Sequence, residues 1–465
     1  MITDLLLSVV FLTIMALGIS KPSVAMAGVI WVDVLRPQTM SSSFLVGKPV
    51  SLIVVLVLCV SLLLGWKRWS APVKKANLVL LPIFMGWITL TTTEALFPHY
   101  AWWKYDIAVK TIFIAILVSL VLNSRHKMET AIWIFVISVG FFCTQAGLKT
   151  LIGGGGYGVH LLNASSGGIT ESSTLSAAAI MALPLIFYLI KHGLLVKEFP
   201  LLRLVLYWFI AASLLTMVGT YARTGLVCLA AFIGLNAVAS KDKWKYVLGG
   251  LCVAAGLAAF TSDEWATRMS TVTTATQENS ALGRIVVWRW TIDFVKDKPL
   301  GGGFQAYLAN RYNLVDYIQG DEFLDRVTDP RAFHSIIFEV LGEHGYIGLF
   351  IFCTILSYGM WCNYLSQRQG RRSGELWRED MAIALARALI VICIGGLFIA
   401  IAFYPMIWFL VAFAVSLHNV PFTAETGQRE STSGEPLARE LRPARTSIYW
   451  QYRGFPPPAK PPDVR

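Results

Sequence analysis

Charge is what this sequence has least of. Only 14% of its 465 residues are Asp, Glu, Lys or Arg, while 55% are hydrophobic. A soluble domain carries roughly 25% charged residues, so an ordinary water-soluble enzyme is excluded, and the mean hydropathy of +0.60 agrees. Cysteine chemistry is missing as well. The seven cysteines (59, 143, 228, 252, 353, 362, 393) all lie inside apolar runs, with no CxxC or Cys/His metal spacing. That excludes a disulfide framework and a zinc site and leaves them as small apolar packing residues. The opening stretch MITDLLLSVVFLTIMALGIS lacks a basic leader and a small-x-small cleavage site, so it reads as a first membrane helix rather than a removed signal peptide.

What is present is a series of apolar runs of about 16–20 residues, recurring to about residue 419 and long enough to cross a ~30 Å hydrocarbon layer as helices. The expected spans are approximately 3–19, 22–36, 48–65, 78–95, 106–123, 129–148, 174–190, 201–219, 224–240, 246–260, 340–365, 381–401 and 404–419. The first two are broken at Lys21-Pro22, which gives 12 or 13 spans. The fold class is therefore an all-α polytopic membrane protein with about 12–13 transmembrane helices.

A net charge of +11 would suit nucleic acid, but its placement excludes that partner. The basic residues gather in every second connector: Lys67, Arg68, Lys74 and Lys75; Arg125 and Lys127; Lys191 and Lys197; Lys241, Lys243 and Lys245; Arg368, Arg371, Arg372 and Arg378. This is the positive-inside pattern. Segments 37–47, 96–105, 149–173, 220–223 and 261–333 then face the other side, which is the periplasm in a Gram-negative host. Asp33, Lys110 and Arg387 fall within about two turns of expected span ends, where snorkelling to the interface accounts for them.

The chain divides into N-terminal membrane helices (1–128), central membrane helices (129–260), one large periplasmic loop (261–333), C-terminal membrane helices (334–420) and a cytoplasmic tail (421–465). The loop carries eight Lys/Arg and ten Asp/Glu, and a loop of that length is usually functional. Within it, ALGRIVVWRWTIDFVK (281–296) sets Ile285, Trp288, Ile292 and Val295 at helical spacing, which predicts an amphipathic helix on the membrane surface. The tail is rich in Pro, Ser, Thr, Glu and Arg; its composition predicts disorder.

Three places could carry chemistry. Arg223, in GTYARTG, is the lone basic residue of a short outward turn; it is either an interface anchor or a guanidinium aimed at an anionic lipid phosphate. Arg284 heads the amphipathic helix, at the depth of lipid headgroups. His334-Ser335 follows Asp329-Pro330-Arg331, where the last long helix should begin. Free N–H groups and the helix dipole there favour a pyrophosphate and disfavour imidazolium, leaving His334 neutral and able to accept a proton. Glu339 and Glu343 share a helix face, and either could orient an acceptor hydroxyl. The run GGGGYG (153–158) satisfies G-x-G-x-x-G, but it follows a membrane helix rather than a strand and reads as a flexible segment, not a nucleotide site.

Together these segments resemble the superfamily of O-antigen ligases and O-antigen polymerases. Its mark is a His followed by Ser, Asn or Gln, nine residues, then G-x-x-G, and His334-Ser335 with Gly345-Tyr346-Ile347-Gly348 matches it in full. TYARTGL, SALGRIVVW and PLGGGF resemble the family's two arginine-bearing segments and the loop after the second, although Thr224 stands where Gly is common. The runs KPSVAMAGVIWVDVLRPQTM and GGITESSTLSAAAIMALPL resemble one branch, the O-glycosylation ligases associated with the exosortase A system. The resemblance implies a glycosyltransferase of the bacterial inner membrane. An acceptor hydroxyl of a protein or lipid attacks the anomeric carbon of a glycan on undecaprenyl diphosphate, on the periplasmic face, and the lipid diphosphate leaves. It also implies that Arg223 and Arg284 hold the diphosphate, that His334 acts as base or acceptor-positioning group, and that no metal is required; the external loops show no DxD motif, no other cofactor is expected, and Glu339 stands beside His334 as a catalytic candidate from its helix face alone. A polymerase using the same donor is the nearest alternative. A lipid-linked oligosaccharide flippase and a structural partner of an export system are alternatives of other classes.

Overall fold

The computed structural model describes residues 2–65, 77–153, 162, 169–244, 248–250, 279–310 and 330–421. The following expectations lie outside them: residues 422–465 of the tail, residues 154–158 of the glycine run, Lys67, Arg68, Lys74, Lys75 and Lys245, residues 251–260 of one span, and residues 261–278 and 311–329 of the large loop.

Among the described residues twelve apolar segments form helices, each matching an expected span: α1 (Ile2–Gly18), α2 (Pro22–Leu35), α3 (Val50–Leu64), α4 (Asn77–Thr93), α5 (Pro98–Val121) and α6 (Arg125–Gly153), then α7 (Ser172–His192), α8 (Leu202–Gly219) and α9 (Arg223–Ala239). The surface helix α10 (Asn279–Asp297) precedes the last three, α11 (Ile336–Ser373), α12 (Leu376–Gly396) and α13 (Pro405–Asn419). No strand occurs among the described residues. Four of these helices, α6, α7, α8 and α11, are long and apolar enough to cross a membrane, and α1, α2, α3, α4, α9 and α13 are shorter apolar helices. A helix satisfies its own backbone in hydrocarbon, which is why such runs adopt it. Proline in the first turn of α2, α5 and α13 sets the entry angle without losing a bond, and the Glu171 carboxylate caps α7 by accepting the N–H groups of Ser173 and Thr174.

The core sits around α13 and α7. Every residue of α13 from Pro405 to Leu417 is buried, the signature of a helix enclosed on all sides. Helix α7 is lined by Ser176, Ala177, Ala178 and Ala179, all fully buried. A Cβ at Gly225 of α9 would strike the Ser176 hydroxyl, and one at Gly395 of α12 would lie 3.0 Å from the Ala177 methyl. Small residues thus let the three backbones approach closely, as in other membrane bundles. Two charges expected at the interface have protein partners. Lys110 pairs with Asp106 at 2.5 Å on the exposed side of α5, and Arg387 of α12 donates to Asn236 of α9 at 2.8 Å.

Successive helices alternate in direction. One end gathers the starts of α5, α7, α9, α11 and α13 with the finishes of α2, α4, α6, α8 and α12. The opposite end holds Arg125, which pairs with Glu129, and Lys191 and His192, which both meet Asp380. There the buried Arg378 donates to the carbonyls of Leu417, Val420 and Pro421, closing the finish of α13.

Helix α11 is broken at Gly345, whose φ of 65° and ψ of −167° are non-helical. A break strands carbonyls that must find other donors, and here all three do. Gly342 O accepts the Gly302 N–H (3.0 Å), Glu343 O the Gly303 N–H (2.9 Å), and His344 O the Trp87 indole N–H (2.9 Å). The Tyr346 N–H, freed in turn, donates to Pro299 O at 3.1 Å. The Pro299–Gly303 strap therefore lies backbone to backbone on the broken turn. A Cβ at Gly345 would collide with the Pro299 carbonyl, and one at Gly301 would come within 2.6 Å of the Glu343 carbonyl. Gly345→Ala is expected to cost at least ~2 kcal/mol, from the strained dihedral and the lost strap together. Gly374→Ala, at another positive φ but with open space around it, should cost about 1 kcal/mol. Thermal unfolding of the two purified variants in detergent checks the difference.

Candidate functional site

His334 stands just ahead of α11 in a left-handed conformation, φ 47°. Its neighbours Phe333 and Ser335 are buried, at 1% and 2% exposure, while His334 itself is exposed. The backbone turn thus anchors both flanks inward and turns the imidazole out. A left-handed non-glycine residue costs of order 1–3 kcal/mol and persists where surrounding contacts hold it. Those contacts are visible: Trp288 of α10 donates its indole N–H to Phe333 O at 2.9 Å and stacks on Phe338 of α11 at 5.1 Å between centroids. Desolvation, and next the Arg284 guanidinium, hold the His334 imidazole below its ordinary pKa; Arg331 acts the same way, and Glu171 and Glu339 oppose them. The imidazole, though exposed, is thus disposed to stay neutral, the direction the dipole argument expects, through partial desolvation by the surrounding protein and two nearby arginines.

Arg284 lies in the first turns of α10, half-buried. The helix forms as its spacing predicts. Val286, Val287, Thr291 and Val295 are buried, whereas Ile285 and Ile292 remain 39% and 43% exposed. The buried side packs with Phe333, Tyr307 and Phe338. Arg331 crosses over Gly283, where any Cβ would strike its guanidinium. Its backbone is clamped by the buried Asn310, which accepts the Arg331 N–H at 2.9 Å and donates to its carbonyl at 2.7 Å.

Arg223 is the first residue of α9 and half-buried. The packing of α9 on α7 and α12 brings it to the same end: Ile336 of α11 touches Gly396, and the adjacent Gly395 faces Cys228 and Thr224.

Glu339 and Glu343 turn inward. They are 2% and 0% exposed, and one ammonium, Lys104 of α5, donates to both: 2.7 Å to Glu339, and 2.8 and 2.9 Å to the two oxygens of Glu343. The other Glu339 oxygen accepts the Ala402 N–H at 2.9 Å, and Glu343 accepts the Gln305 N–H at 2.9 Å. The rings of Phe304 and Phe403 flank the ammonium, each with its centroid 5.5 Å away. Beside this cluster the buried His344 bonds through Nδ1 to the Thr91 hydroxyl at 2.7 Å and meets Phe304 edge-on at 4.5 Å. Lys104 and Arg331 escaped the sequence reading. For Lys104 a signal was present: it is the one basic residue in the outward segment 96–105, the same anomaly that singled out Arg223.

Among the described residues, four that are not glycine have positive φ: Arg36, Tyr221, Gln305 and His334. All belong to this end. Tyr221 lies two residues before Arg223, Gln305 is held by Glu343, and Arg36 lies near enough to Tyr404, at the start of α13, to act on it electrostatically. Strain gathered in this way marks functional sites. Among the described residues no group of three or more His, Cys, Asp or Glu is arranged to hold a metal ion.

Residues 2–194 match a family described as Family of unknown function (DUF5935), and residues 208–353 match a family described as O-Antigen ligase. No curated protein matches the chain. Arg36, Lys104 and Glu171 lie in the first matched stretch; Arg223, Arg284, His334, Glu339 and Glu343 lie in the second. The helical membrane architecture thus carries, at residues 208–353, a domain similar to O-antigen ligases, and that match supports a membrane glycan ligase or polymerase type of function.

Proposed function

We propose that the protein transfers a glycan from undecaprenyl diphosphate to an acceptor hydroxyl on a protein or lipid, at the periplasmic face of the bacterial inner membrane. The observation that carries this reading is the outward-turned imidazole of His334, flanked by Arg284 and Arg331 at the bundle end where Arg223 begins α9. The basic connectors supply the orientation, since Arg125, Lys191 and Arg378 lie at the opposite end.

In this mechanism the acceptor oxygen forms a bond to the anomeric carbon as the bond to the diphosphate oxygen breaks. The acceptor proton passes to His334, and the negative charge growing on the diphosphate is met by Arg223 and Arg284, which are in place before the reaction. Glu339 does not touch the acceptor in this account. Lys104 and Ala402 occupy its oxygens, and its charge stabilises the His334 imidazolium once formed. No metal or other cofactor enters the mechanism. A polymerase, with a second lipid-linked unit as acceptor, would use the same donor site; growing ladders from purified protein given only lipid-linked repeat units would replace the ligase reading.

Expressed in a deletion host, His334→Ala and Arg223→Ala should each lower surface glycoconjugate by about a hundredfold or more, with lipid-linked donor accumulating at normal protein level. Gel analysis of glycoconjugate and chromatography of extracted lipid-linked glycan measure both. Normal conjugate in both variants would remove these residues from the chemistry. The pH dependence gives a second check. Because the His334 pKa is lowered, the acid limb of the rate profile should fall below the ordinary imidazole value of about 6.5. Arg284→Gln removes a positive neighbour and favours imidazolium, so it should move that limb to higher pH.

A further inference from the structure

Two buried carboxylates sharing a single ammonium are the least expected arrangement in this molecule. Glu339 and Glu343 both pair with Lys104, whose side chain is only 19% exposed. Burial of ions is costly, and a buried ion pair is weak support for stability alone. Its connections say more. Glu339 fixes the N–H of Ala402, in the loop between α12 and α13. Glu343 fixes the N–H of the left-handed Gln305, directly after the strap that seats on broken α11. The two loops carry Phe403 and Phe304, whose rings meet at 4.9 Å between centroids beside the ammonium. The first turns of α11, just after His334, therefore hold both loops through two carboxylates, and one lysine bridges those carboxylates.

We propose that Lys104, contributed by the N-terminal region that matches the family of unknown function, is a positioning residue of the transfer site. It locks Glu339 and Glu343 so that the Gln305 and Ala402 loops and the start of α11 keep one geometry around the acceptor side of His334. The proposal rests on the glycan-transfer reading above. It assigns the N-terminal helices a part in the reaction, since the site lacks its central cation without them. Lys104 makes no contact with the diphosphate in this arrangement, so its loss should slow transfer without loosening the lipid.

The test uses the full chain in lipid nanodiscs, with undecaprenyl diphosphate as the binding probe, and transfer followed in membranes of a deletion host that has accumulated donor. Lys104→Met should bind the probe within about threefold of wild type yet transfer about a hundredfold more slowly, the scale of a misplaced reacting group. Lys104→Arg, which keeps charge and reach, should recover transfer to within about tenfold of wild type. The double variant Lys104→Met with Glu343→Gln restores the original net charge but not the bridge, and should remain slow. Wild-type transfer in Lys104→Met, or recovery in the double variant, would overturn the positioning role. Should Lys104→Met fail to accumulate, the double variant decides in the same way. The underlying reading fails separately: wild-type protein that neither binds the probe nor transfers glycan, or an active His334→Ala, would sink it and this proposal together. An inactive His334→Ala beside a fully active Lys104→Met would sink the lysine alone.

Discussion

Everything at the candidate end of the molecule hangs on the break in α11 at Gly345. A continuous helix would keep the carbonyls of residues 342–344 to itself. Broken, it offers them to the N–H groups of Gly302, Gly303 and Trp87, and so draws the strap after α10 and the inner face of α4 onto one turn. The G-x-x-G that follows His334 and the PLGGG loop are two halves of a single backbone contact, which only glycine permits at 301 and 345. Once the strap is seated, Phe304 and Gln305 have fixed places, Glu343 has its N–H donor, and Lys104 has two carboxylates to bridge. The same seating sets α10 against the first half of α11, where Trp288 secures the Phe333 carbonyl.

The backbone around the candidate site is strained at four points. His334, Gln305, Tyr221 and Arg36 all take left-handed conformations, each beside a segment buried deeply enough to hold it. The result is an exposed imidazole near two arginines, beside a buried cluster of a lysine, two glutamates and aromatic rings. For the proposed reaction, such prior positioning would leave little charge reorganisation to the moment of transfer.

Much of the fold was legible because hydropathy reports a local fact: an apolar run in lipid has only its own backbone to bond with. Arg223 stood out for a similar reason, as a single basic residue in a turn that should have none, and His334 by its place ahead of a long helix. Lys104 carries the same mark as Arg223, yet its meaning lies in partners 235 and 239 residues away, which no local pattern conveys. The inward turn of Glu339 and Glu343 was hidden too, since spacing shows that they share a face but not which way the face points. On α10 apolar residues cover more than one face. The structure buries Val286 and Val287 against Phe333 and leaves Ile285 and Ile292 outside, because Phe333 and Phe338 decide the docking face. Arg331 owes its place to Asn310 and to the space over Gly283, again a tertiary fact.

The most direct measurement is an electron cryo-microscopy structure of the full chain with undecaprenyl diphosphate bound. The account predicts diphosphate density within hydrogen-bonding distance of Arg223 and Arg284, next to the His334 imidazole, with the polyprenyl chain leaving between helices. Density at the opposite end, beside Arg125 and Lys191, or a bound lipid whose phosphates touch neither Arg223 nor Arg284, would contradict it.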